Sequence, residues 1–147
     1  MIRPGRAEDL PAITRIRTAV RENHLSVEQM AELGITHQSI AADMNDGHLA
    51  CWVAVAGGAI AGFSMADRRD ASIFALFMDA AHEGKGHGSA LLAACEDWLK
   101  RQGHAEARLT TERRSRAFAF YLRHGWRETE PVDGQPAEDA ALVKTLS

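Results

Sequence analysis

Three glycines at alternate positions mark the segment of this sequence that is best suited to chemistry. Gly84, Gly86 and Gly88 follow an apolar run and lead into a helical pattern that begins at Ser89. Glycines allow tight turns that expose successive backbone N–H groups, and the first turn of a helix carries unpaired amides and a partial positive charge. Segment 78–89 therefore predicts a binding site for a phosphate or pyrophosphate group. A tight turn that merely requires glycine is the alternative interpretation.

Three other binding motifs do not fit this segment. The dinucleotide fingerprint requires its third glycine one position after Gly88 and a place in the first βα unit. A Walker loop requires glycine at the position of Asp79. The zinc-binding pattern H-E-x-x-H fails because His87 follows His82 one residue too late, and we therefore expect no bound metal.

The pattern of apolar residues places the glycine segment between a strand and a helix of a mixed α/β sheet domain. Apolar runs predict strands at 1–3, 49–55, 59–66, 72–78, 107–111, 126–130 and 140–146. Helical spacing predicts helices at 10–20, 26–34, 89–102 and 115–124, with a further helical piece at about 36–44. The predicted order is β-α-α-β-β-β-α-β-α-β-β. Asp9 is the expected cap of the first helix, and strand 72–78 is apolar enough to be a central strand covered on both faces.

Composition and charge narrow the class of protein. The 147 residues predict one domain over 1–147, and 46% hydrophobic and 25% charged residues are ordinary for a globular chain. A net charge of −3 argues against a nucleic-acid partner. Two distant cysteines, with no apolar signal segment or membrane span, favour a soluble cytoplasmic protein without a membrane partner.

Two motifs in the second half of the chain resemble those of the GNAT superfamily of acyl-CoA-dependent N-acetyltransferases. Residues 83–88, E-G-K-G-H-G, are similar to the family pattern Q/R-x-x-G-x-G/A between the fourth strand and the third long helix. Residues 117–126, A-F-A-F-Y-L-R-H-G-W, resemble the pattern A-x-x-F-Y-x-x-x-G-F/W. The opening I-R-P, followed by E-D-L and Ile13, is similar to a typical start of the family. The motif-bearing part covers 73–130, and the element order extends the likeness to the whole chain.

The resemblance implies a GNAT-like acyl-CoA N-acyltransferase fold with acetyl-CoA as the cosubstrate. The pantetheine arm of CoA is then expected to pair with strand 72–78 where that strand splays from strand 107–111, in the manner of an added strand. A backbone N–H would polarise the acetyl carbonyl. The residues that the resemblance assigns to the cofactor are Leu76, Phe77, Met78, Glu83, Gly84, Lys85, Gly86, His87, Gly88, Ser89 and Arg114.

Tyr121, the only tyrosine of the chain, falls at the general-acid position of the family. The resemblance therefore implies that its hydroxyl assists the departing CoA thiolate. A phenol has a pKa near 10 and a thiol a pKa near 8.5, so full proton transfer from tyrosine to the thiolate is unfavourable by about 1.5 pKa units and needs help from the site. A hydrogen bond from the phenol to the thiolate needs no such help. The alternative interpretation is an aromatic residue that only packs its helix against the sheet.

The sequence departs from the family pattern at two positions. Glu83 replaces the usual Gln or Arg at the head of the loop, and Arg114 replaces a common asparagine. We expect weaker or differently tuned contact with the cofactor, because backbone amides do most of the binding. Arg113, Arg114 and Arg116 form either a solvated basic surface or contacts to CoA phosphates, and the phosphate role suits Lys85 best.

The base and the acceptor are less well defined by the sequence. An amine like that of lysine is neutral in only about one molecule in 2,500 at pH 7, so a group must accept its proton. The candidate bases are Glu22, Glu28, Asp67, Asp79 and Glu112. The resemblance implies that the amine approaches over segment 21–35, with loop 131–140 as a second wall. The acidic residues Glu22, Glu28 and Glu32 of that segment favour a cationic small-molecule amine.

Two other functions remain open at this point. One is a non-catalytic CoA-binding sensor or interaction module on the same fold, and the other is a protein or peptide N-acetyltransferase. An intact Tyr121 favours an enzyme over a sensor. A homodimer is one assembly that the sequence leaves open.

Overall fold

A computed structural model describes residues 1–19, 26–131 and 134–147 of the chain. Within these residues seven strands form one mixed sheet. The strands are β1 (Ile2–Pro4), β2 (Leu49–Ala56), β3 (Ala59–Asp67), β4 (Ser72–Met78), β5 (Glu106–Glu112), β6 (Arg127–Thr129) and β7 (Asp139–Thr145). The α-helices are α1 (Leu10–Ala19), α2 (Val27–Glu32), α3 (His37–Asn45), α4 (His87–Arg101) and α5 (Arg116–Arg123). The mixed α/β fold class is confirmed, and the helical piece expected near 36–44 is α3.

The helices cover the two faces of the sheet and build a separate apolar cluster on each face. On one face, Leu10, Ile13 and Ile16 of α1 pack with Val53 and Phe63 of the sheet, and α3 completes the cluster. The other face carries α4 and α5, whose buried residues include Leu92, Cys95, Leu99 and Tyr121. The sheet is therefore the middle layer of three, and any opening in it connects the two faces.

Such an opening exists between β4 and β5, the parallel pair of the sheet. The strand order is β1-β2-β3-β4-β5-β7-β6, and every neighbouring pair except β4–β5 is antiparallel. In the part of the chain that the structure describes, β4 and β5 pair only at Ser72 and Arg108. An additional bond joins the Arg108 N–H to the Ala71 carbonyl at 2.9 Å. Beyond this point the two strands separate, while β4 stays bonded to β3 as far as Met78.

The separation corrects the expectation that strand 72–78 is covered on both faces. The strand bounds are as predicted, but Phe74 is 45% exposed and Leu76, Phe77 and Met78 are only half-buried. Apolar side chains at the C-terminal half of β4 are thus not all core residues. They line the opening beside β4, where β5 has separated from it.

The first helix also begins differently from the prediction. Asp9 does not cap α1, because it lies at the end of a short 3-10 turn, Ala7–Asp9. Its carboxylate accepts two hydrogen bonds from the Arg3 guanidinium, at 2.9 and 3.0 Å, and one from the Arg6 backbone N–H at 2.8 Å. The hydrogen-bonded Arg3 holds the pKa of Asp9 below its usual value, against the effect of burial. Asp9 therefore fastens the start of α1 to β1. The predicted last turn at Val20 lies outside the described residues.

Candidate active site

A cleft of about 1410 Å³ occupies the opening between β4 and β5. It is lined by the C-terminal part of β4, the glycine segment, the end of β5, one side of α5 and, from the other face of the sheet, α1 and the start of β7. Pockets for a single ligand usually measure ~300–1,000 Å³, so this cleft has room for two ligands.

The glycine segment forms one wall of the cleft in the conformation that an anion site needs. Gly84 and Gly86 have φ angles of 77° and 83°, in the left-handed region, and a Cβ placed on either would meet nothing within 4 Å. Gly86 is the N-cap of α4, so the helix begins at His87, two residues before the predicted Ser89. Gly86, Gly88 and Ser89 all line the cleft, so the start of α4, where the first amides of a helix are unpaired, lies at this wall. Gly88 has no positive φ, and a Cβ at this position would lie 3.5 Å from the Phe120 ring, an ordinary contact distance, so neither conformation nor space requires glycine there.

Most of the sequence-predicted cofactor residues line the cleft, and three do not. Those that line it are Leu76, Phe77, Met78, Glu83, Gly84, Gly86, Gly88 and Ser89. Lys85, His87 and Arg114 are absent from its lining, and Arg114 is exposed. The role of these three residues in binding the cofactor stays a prediction.

Arg116, which the sequence marks only as one of a group of arginines, lines the cleft instead of Lys85 or Arg114. Its guanidinium forms two hydrogen bonds with the Glu83 carboxylate, from Nη1 to Oε2 at 3.0 Å and from Nη2 to Oε1 at 3.2 Å. The acid at the head of the loop is therefore neutralised from α5. The partners are 33 residues apart in the chain, and that spacing carries no signal of its own.

Tyr121 belongs both to the core and to the cleft. Its ring is 6% exposed and packs edge-on against Phe120 and Trp126, with centroids 5.5 and 5.9 Å away. Burial raises the pKa of Tyr121 well above its usual value, so the phenol stays protonated. The structure gives the hydroxyl no hydrogen-bond partner among the described residues. The packing and catalytic interpretations are thus compatible, since the ring supports the helix while the residue lines the cleft.

The side chain of Ser89 lies next to His124, the residue that precedes the glycine closing α5. His124 donates from Nδ1 to the Phe120 carbonyl at 2.8 Å, and its Nε2 is 2.8 Å from Ser89 Oγ. Both Ser89 and His124 line the cleft. This contact fixes the start of α4 against the end of α5.

The candidate bases differ in whether they line the cleft. Glu28 is exposed on α2 and Asp67 is bonded to Arg69, and neither lines the cleft. Asp79 lines it but accepts the Ala81 N–H at 3.2 Å as the cap of a short 3-10 turn. Glu22 lies outside the described residues.

Glu112 lines the cleft together with an acid that the sequence analysis missed, Asp139. The two residues are direct cross-strand partners of β5 and β7, so their side chains leave the same face of the sheet. Burial, and then the charges of Glu138 and Glu112, raise the pKa of Asp139. This pair places two carboxylates at the end of the cleft where β5 and β7 meet.

Arginines of α1, and not acids of α2, line the cleft on the face opposite α5. Arg15 and Arg17 contribute to this wall, and the Arg17 guanidinium lies 4.2 Å from the centre of the Phe77 ring. Burial lowers the pKa of Arg17. Glu28 and Glu32 are exposed on α2 and do not line the cleft, and Glu22, in the part of segment 21–35 up to residue 25, lies outside the described residues. The acidic acceptor wall expected from segment 21–35 therefore stays a prediction.

Neither a metal-binding cluster nor a membrane-spanning helix is found in ranges 1–19, 26–131 and 134–147. No group of three or more His, Cys, Asp or Glu side chains is arranged there to hold a metal ion. In the same ranges, no helix combines the length and apolar character needed to span a bilayer.

Comparison with known proteins gives the family of the chain. A model of the acetyltransferase (GNAT) domain matches residues 19–135. No individual curated protein sequence matches the chain. Among solved structures, the PaiA N-acetyltransferase of Thermoplasma acidophilum in complex with coenzyme A is 19% identical, with a TM-score of 0.79 over 99% of this chain and 98% of that one. The ribosomal-protein-alanine N-acetyltransferase of Brucella melitensis is 22% identical, with a TM-score of 0.78 over 99% of both chains.

A third similar structure contains the acetylated coenzyme. It is yncA, a putative acetyltransferase from Salmonella typhimurium with its cofactor acetyl-CoA, which is 23% identical, with a TM-score of 0.70 over 100% of this chain and 94% of that one. At these identities the structures establish the shared fold, and the family model covers most of the sequence. The chain belongs to the GNAT acetyltransferase family and is an acetyl-CoA-dependent acyltransferase.

Proposed function

We propose that this protein transfers the acetyl group of acetyl-CoA to a primary amine of a small molecule, by direct attack in a ternary complex. The observation that carries this proposal is the cleft between β4 and β5, which joins the glycine segment on one side to the Glu112–Asp139 pair on the other. Tyr121 lines the same cleft. A donor site, an acceptor site and a candidate acid are thus contiguous.

In this proposal the coenzyme occupies the part of the cleft formed by β4 and α4. The pantetheine arm adds as a strand to the edge of β4 at Leu76 and Met78, where β5 has already diverged. The pyrophosphate lies on the amides between Glu83 and Ser89, which the positive φ of Gly84 and Gly86 exposes. Lys85, His87 and Arg114 do not line the cleft, so the proposal assigns them no contact with the coenzyme.

The chemistry requires that the amine nitrogen form a bond to the acetyl carbonyl carbon and that the carbon–sulfur bond then break. A backbone N–H of β4 polarises the carbonyl, and the electron pair of the broken bond leaves on the CoA sulfur. The Tyr121 hydroxyl donates a hydrogen bond to that sulfur as its negative charge develops. Because burial keeps the phenol protonated, this donor is present throughout the physiological pH range.

A cationic amine must lose one proton before it attacks and a second proton after the carbon–nitrogen bond has formed. We assign removal of the first to Asp139, with Glu112 beside it, and the second passes to the departing CoA sulfur, which leaves as the thiol. Both carboxylates line the cleft and attract a cationic amine. The raised pKa of Asp139 makes this side chain a stronger base than an ordinary aspartate. The negative charge of Glu112 beside Asp139 helps to raise the pKa of Asp139 and so favours its acceptance of a proton from the amine.

Asp139→Asn is expected to lower kcat/KM for the amine about 10²-fold, since general-base catalysis contributes ~10²–10⁴-fold. The wild-type rate should fall on the acid side as pH drops through the pKa of Asp139, which lies above that of an isolated aspartate. Steady-state rates across the pH range measure both effects. Glu138→Gln is the matched control, because Glu138 is the exposed neighbour and does not line the cleft. Equal rates for the two variants would exclude Asp139 as the base.

A protein or peptide amine is the second candidate acceptor, and the similarity to a structure named as a ribosomal-protein-alanine N-acetyltransferase favours it. The test is release of CoA thiol from acetyl-CoA with a panel of small amines and a panel of peptides that differ in their N-terminal residue. Mass spectrometry of the acceptor identifies the acetylated nitrogen. We expect the highest kcat/KM with a cationic small amine, and a preference for peptide N-termini would transfer the assignment to the second candidate. Tight CoA binding without turnover on either panel would favour a sensor.

A further inference from the structure

An ion pair spans the mouth of the candidate coenzyme site. The Arg116 guanidinium donates two hydrogen bonds to the Glu83 carboxylate, one to each oxygen, at 3.0 and 3.2 Å. The pair joins the head of the glycine segment to the first residue of α5. Both side chains line the cleft together with Gly84 and Gly86.

The exposure of the pair argues against a mainly stabilising role. The Glu83 and Arg116 side chains are 40% and 74% exposed, and pairs in such surroundings contribute ~0–1 kcal/mol to folding. Arg113 and Glu128 form a comparable pair at 2.7 Å, with side chains about as exposed as Glu83, but neither residue lines the cleft. The position of the Glu83–Arg116 pair, more than its strength, distinguishes it.

A carboxylate at this position conflicts with the binding of an anion. Glu83 directly precedes the amides that would hold a pyrophosphate, and an unpaired negative charge there would repel it. A guanidinium carries five N–H donors in a planar fork, so one side chain can contact a carboxylate and a phosphate at once. Lys85 and Arg114, the cations expected from the sequence, do not line the cleft. Arg116 and Arg123 of α5 do, and of these two Arg116 is the one bonded to Glu83 at the glycine segment.

We propose that Arg116 is a phosphate-binding residue of the coenzyme site and that Glu83 positions its guanidinium over the glycine segment. This inference rests on the coenzyme site of the proposed function. Glu83 sets the orientation of Arg116 before the coenzyme binds, and Arg116 cancels the charge with which Glu83 would oppose the coenzyme. The ligand is a phosphate group of CoA, either in the pyrophosphate or on the 3′ position of the ribose.

The test is calorimetric titration of CoA and dephospho-CoA into the wild-type protein, Arg116→Gln, Glu83→Gln and the double variant, at about 50 and about 300 mM salt. Arg113→Gln is the matched control. Arg116→Gln should raise the Kd of CoA about tenfold at low salt and less at high salt, because it removes a charge-assisted contact. Glu83→Gln should change Kd less than about threefold alone, yet recover several-fold of the affinity lost in Arg116→Gln.

Two comparisons test the proposal: CoA against dephospho-CoA, and Glu83→Gln in the wild-type protein against Glu83→Gln in Arg116→Gln. A loss with dephospho-CoA as well as CoA supports a pyrophosphate contact, and a loss with CoA alone supports a contact to the 3′-phosphate. A Kd for Arg116→Gln equal to that of Arg113→Gln would overturn the proposal, as would an identical effect of Glu83→Gln in both backgrounds. Failure of the proposed function has a different signature, since a wild-type protein that binds CoA but acetylates no amine leaves these affinity differences intact.

Discussion

Gly86→Val is expected to abolish measurable acetyl-CoA binding, with an increase in Kd of about 10²-fold or more. Gly86 has a φ of 83°, which a β-branched residue adopts only under strain, although space for the side chain is available. To relieve that strain, the peptide groups at the start of α4 must rotate. Their N–H groups, which bind the pyrophosphate in the proposed function, would then point elsewhere. Losing two charge-assisted hydrogen bonds at ~1.5 kcal/mol each corresponds to about 10²-fold in affinity.

The control for this prediction lies at the other end of the same helix. Gly103 has a φ of 96°, and a Cβ at this position would also meet nothing within 4 Å, so Gly103→Val introduces the same kind of strain far from the cleft. We expect a similar loss of thermal stability in both variants and a Kd within about threefold of wild type for Gly103→Val alone. Gly86→Asn should retain more affinity than Gly86→Val, because Asn tolerates the left-handed region. Calorimetry showing wild-type affinity in Gly86→Val would remove the glycine segment from the coenzyme site.

Tyr121→Phe is expected to lower kcat by about 10²–10⁴-fold with little change in the Kd of acetyl-CoA. The hydroxyl matters mainly when the thiolate develops, so its loss affects the transition state more than the bound ground state. The ring contacts with Phe120 and Trp126 remain in the variant. The thermal midpoint should therefore stay close to wild type, which separates the role of the hydroxyl from that of the ring.

The pH dependence gives a second readout for Tyr121. Because burial raises its pKa, the phenol is protonated up to about pH 10, and kcat of the wild type should show no loss from tyrosine ionisation between pH 7 and about 10. Trp126→Phe disturbs the same aromatic cluster at a residue that does not line the cleft, and it should reduce stability while preserving kcat. An unchanged kcat in Tyr121→Phe would leave Tyr121 with a packing role only.

Much of the fold was predictable from the sequence because its signals are local. The bounds of β4 agree with the apolar run 72–78, and the Ser115 cap and the glycine after His124 delimit α5 as expected. The start of α4 was predicted two residues late, because the left-handed Gly86 acts as the N-cap without a side-chain signal. The pattern of β4 was misread as full burial, since an apolar strand beside an opening has the same composition as one in a core.

The parts of the site that escaped prediction depend on contacts between distant segments. Asp139 reaches the cleft only because β7 pairs with β5 in a register that sets it opposite Glu112. Arg116 is the first residue of α5 and lines the cleft, whereas Arg114 precedes the Ser115 cap, is exposed and does not line it. Neither position has a periodicity or motif that marks it, so a single sequence offers no means of choosing between neighbouring arginines or among scattered acids.

The most direct test of the central claim, that acetyl-CoA occupies the opening between β4 and β5, is amide hydrogen exchange with and without acetyl-CoA. We predict slower exchange at residues 76–78 of β4 and at residues 84–90, where the amides gain hydrogen bonds to pantetheine and pyrophosphate. The hairpin turn at Gly57 and Gly58, which lies outside the cleft, should exchange at the same rate in both samples. Saturating acetyl-CoA that left 76–78 and 84–90 unprotected, or protected a different part of the chain, would contradict the account.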